Sequence, residues 1–310
     1  MKPFRNILFV SNGTNDEVEA LQQAIKLAHN NQAALEILMV CPEFPDSFEQ
    51  YKTSYESFLK EQISNSLEAA KSDLPANHKK LPIPIGIEWG TSPDNIVIQH
   101  VLRQGHDLLI KSVEQDERAK GYKAMDMGLL RKCPCTLYLH RPLKHSKDIR
   151  IAVAIDPDNK DLSGQDLTLN LLKLAHFLAK HYKGDLSIIS CWNYVMENVL
   201  RSSAWMEIPQ SRLDELIMHE GNESLLELDK LIQKSGISKP TILHLKGSPT
   251  ELIPQIITEK NIDVLVMGTV ARTGIAGFII GNTAENILQK LDCSLWALKP
   301  LGFVSPVKAY

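Results

Sequence analysis

The sequence has no excess of positive charge and no long apolar run. Its 310 residues include 34 Lys and Arg against 37 Asp and Glu, which gives a formal net charge of −3. Proteins that bind nucleic acid directly usually carry an excess of basic residues, so this balance disfavours nucleic acid as a direct partner. No apolar run approaches the length of a membrane span, and the N-terminal residues lack the apolar core of a signal peptide. We therefore expect a cytoplasmic protein that binds neither nucleic acid nor membrane.

Cysteine is scarce and scattered. The 5 cysteines are Cys41, Cys133, Cys135, Cys191 and Cys293. Their odd number and irregular spacing argue against a disulfide framework and against zinc-ribbon spacing. Thiols in a reducing compartment are the simplest interpretation. The Cys133-Pro-Cys135 pair leaves a redox role open.

Motifs for the common catalytic classes are also lacking. The sequence contains no Ser/His/Asp arrangement, no P-loop lysine motif and no histidine pair at metal-binding spacing. Neither first strand is followed by Gly-x-Gly-x-x-Gly, which argues against a dinucleotide-dependent dehydrogenase. The histidines lie in helical or strand-like segments, where packing or surface positions are expected: His29, His100, His106, His176 and His244. We therefore do not expect a dedicated enzyme.

The sequence does contain an internal repeat, and its length suits two domains of about 150 residues each. Ser92 to Asp107 matches Ser248 to Asp263 without a gap, at a constant offset of 156. In both halves, apolar strands alternate with amphipathic helices, which predicts right-handed βαβ units and a parallel sheet covered on both faces. We predict an α/β fold of two tandem open parallel-sheet domains, at residues 1–143 and 149–310.

A glycine-bearing loop follows the fourth strand of the second half. The apolar strand Ile262–Met267 leads into Gly268, and the loop ends at Asn282-Thr-Ala-Glu285, the pattern of a capping box. In open parallel sheets, ligands bind beyond the carboxyl ends of the strands. Backbone N–H groups at a helix start suit phosphate. The loop therefore predicts a phosphate site, with a tight surface turn as the alternative.

At this loop the second half resembles the universal stress protein family. The family signature is Gly, two residues, Gly, nine residues, then Gly and Ser or Thr; the frame here is Gly268, Ala271, Gly281 and Asn282. The resemblance covers nearly the whole chain as a tandem pair and is greatest to the E branch, including a degenerate first half. It implies a Rossmann-like sheet of strand order 3-2-1-4-5 in each domain, ATP or ADP at the strand ends, with or without Mg²⁺, and a regulatory role in stress response.

The resemblance implies a nucleotide site in the second domain. It matches Asp156 to a carboxylate that faces the adenosine, and Cys191 to a position that meets adenine through its backbone. The implied binding residues are Ala154, Ile155, Asp156, Cys191, Met267, Gly268, Val270, Ala271, Arg272, Gly281, Asn282 and Thr283. No catalytic residue and no protein-held metal is implied, although slow ATP hydrolysis is compatible with such a site.

Two residues depart from the signature, and the first half lacks it. Ala271 replaces a glycine, at a cost of about 1 kcal/mol or more if the position needs a positive φ. Asn282 replaces Ser or Thr, but Asn also caps helices. In the first half, Ser112 stands in place of Gly268, and the acidic residues that follow would repel phosphate: Glu114, Asp116 and Glu117. We predict a first domain without nucleotide, with a structural or regulatory role.

Each half also carries a helical insertion after its second strand. The first has aromatic residues at helical spacing: Phe44, Phe48, Tyr51, Tyr55 and Phe58. The second has aliphatic ones: Leu213, Leu216, Ile217, Leu225, Leu228 and Ile232. Packing within the chain is the favoured interpretation; the alternative is a nucleotide-free scaffold that binds a partner or an apolar ligand there. The last strands, 135–139 and 293–298, are edge candidates that a tandem chain could pair internally, as family members pair across a dimer. A further homodimer is left open.

Overall fold

The computed structural model describes residues 4–13, 17–113, 122–145, 147–159, 161–202, 208–269 and 280–310. The first half contains β1 (Asn6–Ser11), α1 (Val18–Asn31), β2 (Ala34–Cys41), a 3-10 helix (Asp46–Tyr51), α2 (Lys52–Ser72), α3 (Ala76–Lys79), β3 (Ile85–Trp89), α4 (Pro93–Gln104), β4 (Leu108–Ser112), α5 (Ala124–Lys132) and β5 (Thr136–His140). The second half contains β6 (Arg150–Ile155), α6 (Leu162–Tyr182), β7 (Asp185–Trp192), α7 (Glu197–Ser202), α8 (Gln210–Ser235), β8 (Thr241–Lys246), α9 (Pro249–Glu259), β9 (Val264–Gly268), α10 (Asn282–Leu288) and β10 (Ser294–Leu298).

The described strands form one 10-stranded sheet in the order β3-β2-β1-β4-β5-β10-β9-β6-β7-β8. Within each half the strands are parallel and follow the order 3-2-1-4-5. Parallel strands need crossover connections, and the helices between them supply these on both faces. The predicted α/β fold with two tandem open parallel sheets is confirmed.

The two halves meet through their last strands, which pair antiparallel. Leu295 lies opposite Leu139, and Trp296 lies opposite Tyr138. The Trp296 and Tyr138 rings are fully buried and stack with their centroids 4.5 Å apart. The strands expected to be edges therefore pair with each other at the centre of the sheet, and β3 and β8 form its edges.

A hydrophobic core lies on each face of this sheet. One core is covered by α1, α2, α6 and α8, and the other by α4, α5, α9 and α10. Successive side chains of a strand point to opposite faces. Ile37 and Leu38 of β2 accordingly belong to different cores. The sheet is buried on both sides, which explains why its strands read as continuous apolar runs.

A repeated aspartate fixes the start of each domain. The buried Asp263 carboxylate accepts hydrogen bonds from the backbone N–H groups of Lys144, His145 and Arg150, at 2.9, 3.1 and 2.8 Å. Asp107, at the matching place in the first half, accepts from the N–H groups of Arg5 and Asn6 at 2.8 and 3.1 Å. Hydrogen bonds to a carboxylate are stronger than neutral ones. Asp263 therefore anchors the chain between the domains.

The insertions differ from their prediction in one half. In the second, α8 packs onto the sheet with Leu213, Ile217, Leu228 and Ile232 buried, as expected. In the first, the aromatic residues do not share one helix face, because Phe44 precedes the 3-10 helix and Tyr55 and Phe58 lie in α2. Tyr55 does pack within the chain, with its ring centroid 5.9 Å from that of Phe44 and 6.2 Å from that of Trp89. Burial in the core was the wrong expectation for Phe48, Tyr51 and Phe58, which are exposed.

Among the described helices, none is both long enough and apolar enough to cross a bilayer. All of the cysteines are free thiols. The Cys133 and Cys135 sulfurs lie 3.4 Å apart in the core.

Candidate functional site

A cavity of about 500 Å³ opens at the carboxyl ends of β6, β7 and β9. β6 and β9 are neighbours, and the helices that follow them, α6 and α10, lie on opposite faces of the sheet, which makes this the topological switch where parallel sheets bind ligands. The residues of the implied nucleotide site that line it are Ala154, Ile155, Asp156, Cys191, Met267, Gly268, Gly281, Asn282 and Thr283. The remaining residues of that set, Val270, Ala271 and Arg272, lie outside the described residues.

The strand ends set the floor of the cavity. Ala154 of β6 is in register with Met267 of β9. Asp156 follows β6, and its Oδ1 accepts the N–H of Asp158 at 3.2 Å, which turns the chain towards α6. Asp156 is the only charged residue among those described that line the cavity. This part of the wall can therefore accept hydrogen bonds from ligand hydroxyls or share a metal ion.

Gly268 has a packing role in addition to its place in the signature. A Cβ at this position would lie 2.9 Å from Cδ2 of Leu167 on α6. The glycine therefore lets the end of β9 approach α6 closely. Its presence alone does not indicate phosphate.

Helix α10 begins differently from the capping box predicted by the sequence. Its N-cap is Gly281 at φ −62 and ψ 139, with no side-chain cap, and Asn282 is already helical. The N–H of Gly281 donates to the carbonyl of Thr269 at 3.1 Å, and the Glu285 side chain contacts Arg131 of the first half instead of the cap. The capping-box prediction is wrong because the cap lies one residue earlier. The N–H groups of Asn282 and Thr283, in the first turn, have no carbonyl acceptor within the helix.

Cys191 forms part of the wall at the end of β7. Burial raises the pKa of its thiol to about 11. The thiol is therefore protonated at neutral pH and cannot serve as a ready nucleophile. Cys191 therefore offers the cavity its backbone and its apolar surface.

The sequence analysis missed the helical walls of the cavity. They comprise Asn159, Gly164, Leu167, Thr168, Leu171, Pro249, Ile253, Ala284 and Ile287. The spacing of Gly164, Leu167, Thr168 and Leu171 is that of one helix face. This periodicity was a usable signal, but only a known sheet order shows that the face borders the strand ends.

The matching place in the first half is filled by a buried ion pair. Along the repeat, Lys111 stands where Met267 does, and Asp126 stands where Ala284 does. The Lys111 Nζ and an Asp126 carboxylate oxygen lie 3.0 Å apart, and both side chains are fully buried. Two apolar cavity-lining residues of the second domain are thus replaced by opposite charges that neutralise each other.

The protein's own hydrogen bonds also tie together the strand ends in the first half. Asn12, which follows β1 as Asp156 follows β6, donates from Nδ2 to the carbonyl of Ser112 at 3.0 Å. The Glu17 carboxylate accepts from the Ser11 hydroxyl at 2.6 Å and from the Asn12 N–H at 2.5 Å. These contacts supply a structural reason to expect no nucleotide in this domain. The acidic residues Glu114, Asp116 and Glu117 lie outside the described ranges.

Comparison with known proteins agrees with this architecture. Residues 3–139 and 150–299 each match the profile of the universal stress protein family. The chain is 26% identical to Universal stress protein E of Photorhabdus laumondii, over 100% of this chain and 99% of the relative. It is 26% identical to Universal stress protein E of Escherichia coli K12, over 99% and 98% respectively.

Two solved structures share the whole fold. A protein from Pseudomonas aeruginosa PAO1, described as functionally unknown, has a TM-score of 0.72 and 24% identity, over 96% of this chain and 94% of that one. A universal stress protein from Archaeoglobus fulgidus has a TM-score of 0.62 and 16% identity, over 95% and 98%. Since the family profile covers both halves, the chain belongs to the universal stress protein family of stress-response proteins, with one family domain in each half.

Proposed function

We propose that the protein is a cytoplasmic stress-response regulator that binds ATP or ADP, with or without Mg²⁺, in its second domain. The observation that carries the proposal is the cavity at the switch point, which gathers the described residues of the implied site. Its volume of about 500 Å³ falls within the range of small-molecule sites. The free thiols accord with a reducing compartment.

The proposed direction of the nucleotide follows from the sheet order. The cavity crosses the end of β6, with Cys191 of β7 on one side and Gly268 of β9 on the other. The base would lie on the side of Cys191, and the phosphates would lie towards the first turn of α10. The carboxylate of Asp156, between them, would accept hydrogen bonds from the ribose or share Mg²⁺.

Phosphate charge needs compensation that the described wall lacks. The described lining residues include no cation. Backbone N–H groups at residues 282 and 283 supply partial positive charge. The remainder would come from Mg²⁺ or from Arg272, which the sequence places in the loop after β9. We therefore expect Mg²⁺ to strengthen binding of ATP.

The same wall favours binding over turnover. Catalysis of hydrolysis needs a base or a metal that positions water against the phosphate. Asp156 is the one described lining side chain that could act as a base, and Cys191 is a protonated thiol. Hydrolysis, if it occurs, should be slow.

The replacement Gly281→Asp tests the phosphate end of the cavity. The backbone of Gly281 has a negative φ, and Asp is a preferred N-cap residue, so the helix should tolerate the change. A carboxylate about 4 Å from a phosphate costs about 1 to 4 kcal/mol, so ATP affinity should fall at least about fivefold. Calorimetric titration of the full chain with ATP and Mg²⁺ measures this.

Lys123→Asp provides the matched control, because Lys123 is the N-cap of the equivalent helix α5 in the first domain. ATP binding should be unchanged in this variant. Equal affinity in the wild type and in Gly281→Asp would place the nucleotide elsewhere. If ATP changes neither the heat signal nor the melting temperature of the wild type, the nucleotide proposal is wrong.

The exposed aromatic rings favour a second candidate function, a nucleotide-free scaffold that binds an apolar ligand or partner. Phe48 and Phe58 are 54% and 53% exposed, which is unusual for rings of this size. A fluorescent apolar dye should bind the wild type and lose most of its signal in Phe48→Ser/Phe58→Ser. Unchanged dye binding would remove this candidate.

A further inference from the structure

A cluster of ionisable side chains lies beside the edge of the first domain, far along the sheet from the nucleotide cavity. Glu36 comes from β2, His100 from α4, and His106 from the turn that follows α4. Both histidines are only 6% exposed. One ring nitrogen of each histidine and one oxygen of the Glu36 carboxylate all lie within 4.8 Å of one another.

The separations match those of atoms that share a metal ion. His100 Nε2 lies 3.3 Å from Oε1 of Glu36, and His106 Nε2 lies 3.6 Å from Oε2 of the same carboxylate. Ligands about 2.1 Å from Zn²⁺ stand about 3.4 Å apart at the corners of a tetrahedron. One ion could therefore contact all three side chains with small adjustments.

A second layer of contacts orients His100. Its Nδ1 lies 2.7 Å from Oε1 of Glu88. A carboxylate only accepts, so Nδ1 carries the proton. Arg103 Nη2 holds Glu88 in place with contacts of 2.8 and 2.9 Å to the two oxygens. A carboxylate that fixes one nitrogen of a histidine and directs the other at the ion is the usual support of a metal ligand.

The nitrogens that face Glu36 lack hydrogen-bond partners. Among the described residues, neither Nε2 of His100 nor Nε2 of His106 has a partner at hydrogen-bonding geometry. Buried polar atoms are seldom left in this state, because each costs about 1–3 kcal/mol. Coordination by an ion would satisfy a nitrogen from each ring at once.

The repeat shows that the fold does not need these histidines. At the matching positions of the second domain stand Ile256 for His100, Ile262 for His106 and Ser187 for Glu36. Ile262 is buried in the core, as His106 is buried in the first half. The same architecture therefore accepts aliphatic residues at the two histidine positions. A requirement of the fold does not explain why Glu36, His100 and His106 stand together in the first domain.

We propose that Glu36, His100 and His106 bind a divalent transition-metal ion, with Zn²⁺ as the best fit to two imidazoles and one carboxylate. The Glu36 side chain is 26% exposed, so the site can be reached from solvent. Three protein ligands leave a fourth position for water.

Zinc titration of the full chain tests the proposal. After removal of metal with a chelator, the wild type should bind one equivalent of Zn²⁺ in calorimetry and melt at a higher temperature with it. His100→Ile/His106→Ile copies the second domain and should abolish this equivalent, as should Glu36→Gln. Glu88→Gln should weaken binding about 10- to 100-fold, since it loosens the orientation of His100.

Two controls separate this site from other ligands. His244→Gln alters a histidine of the second domain and should leave the Zn²⁺ equivalent intact. The Cys133 and Cys135 thiols could also take zinc, so Co²⁺ is used as a spectroscopic probe: its bound spectrum should lack thiolate charge-transfer bands. Less than one equivalent in the wild type, unchanged binding in His100→Ile/His106→Ile, or dominant thiolate bands would each overturn the proposal. The nucleotide proposal is unaffected by any of these outcomes, because the sites lie in different domains.

Discussion

Replacement of Asp126 by Ala is expected to lower the free energy of unfolding by about 3 to 5 kcal/mol, because it leaves the buried Lys111 charge without its partner carboxylate. The two groups are 3.0 Å apart and fully buried, so water cannot readily take the place of the lost partner. Urea unfolding followed by circular dichroism measures the change. Lys111→Met should also destabilise the protein, since the buried Asp126 carboxylate then loses the cation 3.0 Å away.

The double variant Lys111→Met/Asp126→Ala supplies the control. It copies the residues Met267 and Ala284 of the second domain, and it removes both charges together. Buried ion pairs replaced by apolar residues often cost little. The double variant should therefore be more stable than either single variant. If the double variant loses as much free energy of unfolding as the two single variants together, the two charges are not energetically coupled, and the interpretation as an ion pair is wrong.

Replacement of Trp296 by Ala is expected to cost about 3 to 5 kcal/mol, which is typical of a large aromatic side chain removed from a core. Trp296 is fully buried, stacks on Tyr138 at 4.5 Å and lies 5.8 Å from the ring of Phe4. Because these contacts join the two halves, the variant should also unfold less cooperatively. Chemical unfolding followed by fluorescence and by circular dichroism would detect this as separated transitions.

Trp89→Ala is the matched control for this prediction. Trp89 lies in the edge strand β3 and is only partly buried, with its Nε1 donating to Glu56 at 2.9 Å. Its removal should cost less than about 3 kcal/mol and should leave the coupling of the halves intact. An equal loss of cooperativity in both variants would contradict the idea that the pairing of β5 with β10 couples the unfolding of the two halves.

The two domains share one architecture but differ in the residues at equivalent positions. The second has a cavity at its strand ends, and it has Ile256 and Ile262 at the positions that match His100 and His106. The first fills the equivalent of the cavity with Lys111 and Asp126 and places His100 and His106 where the second has isoleucines. Each domain thus serves as an internal reference for the other, and the variants His100→Ile/His106→Ile and Lys111→Met/Asp126→Ala copy residues that the fold already accepts.

The sequence by itself determined the fold and much of the candidate site. Apolar strands alternating with amphipathic helices specify parallel βαβ units, because burial on both faces demands that pattern. The repeat then located Asp156, Cys191 and Gly268 at strand ends. Such local signals survive in a sequence because they depend on neighbours a few residues apart.

Only the tertiary structure decided what lies far apart in the chain. The pairing of β5 with β10, the contact of Lys111 with Asp126 and the meeting of Glu36 with His100 and His106 each join residues from separate elements. No periodicity encodes such contacts, since they depend on sheet order and register. Exposure of Phe48 and Tyr51 was hidden for the same reason: helical spacing shows which residues can share a face, but not what that face meets.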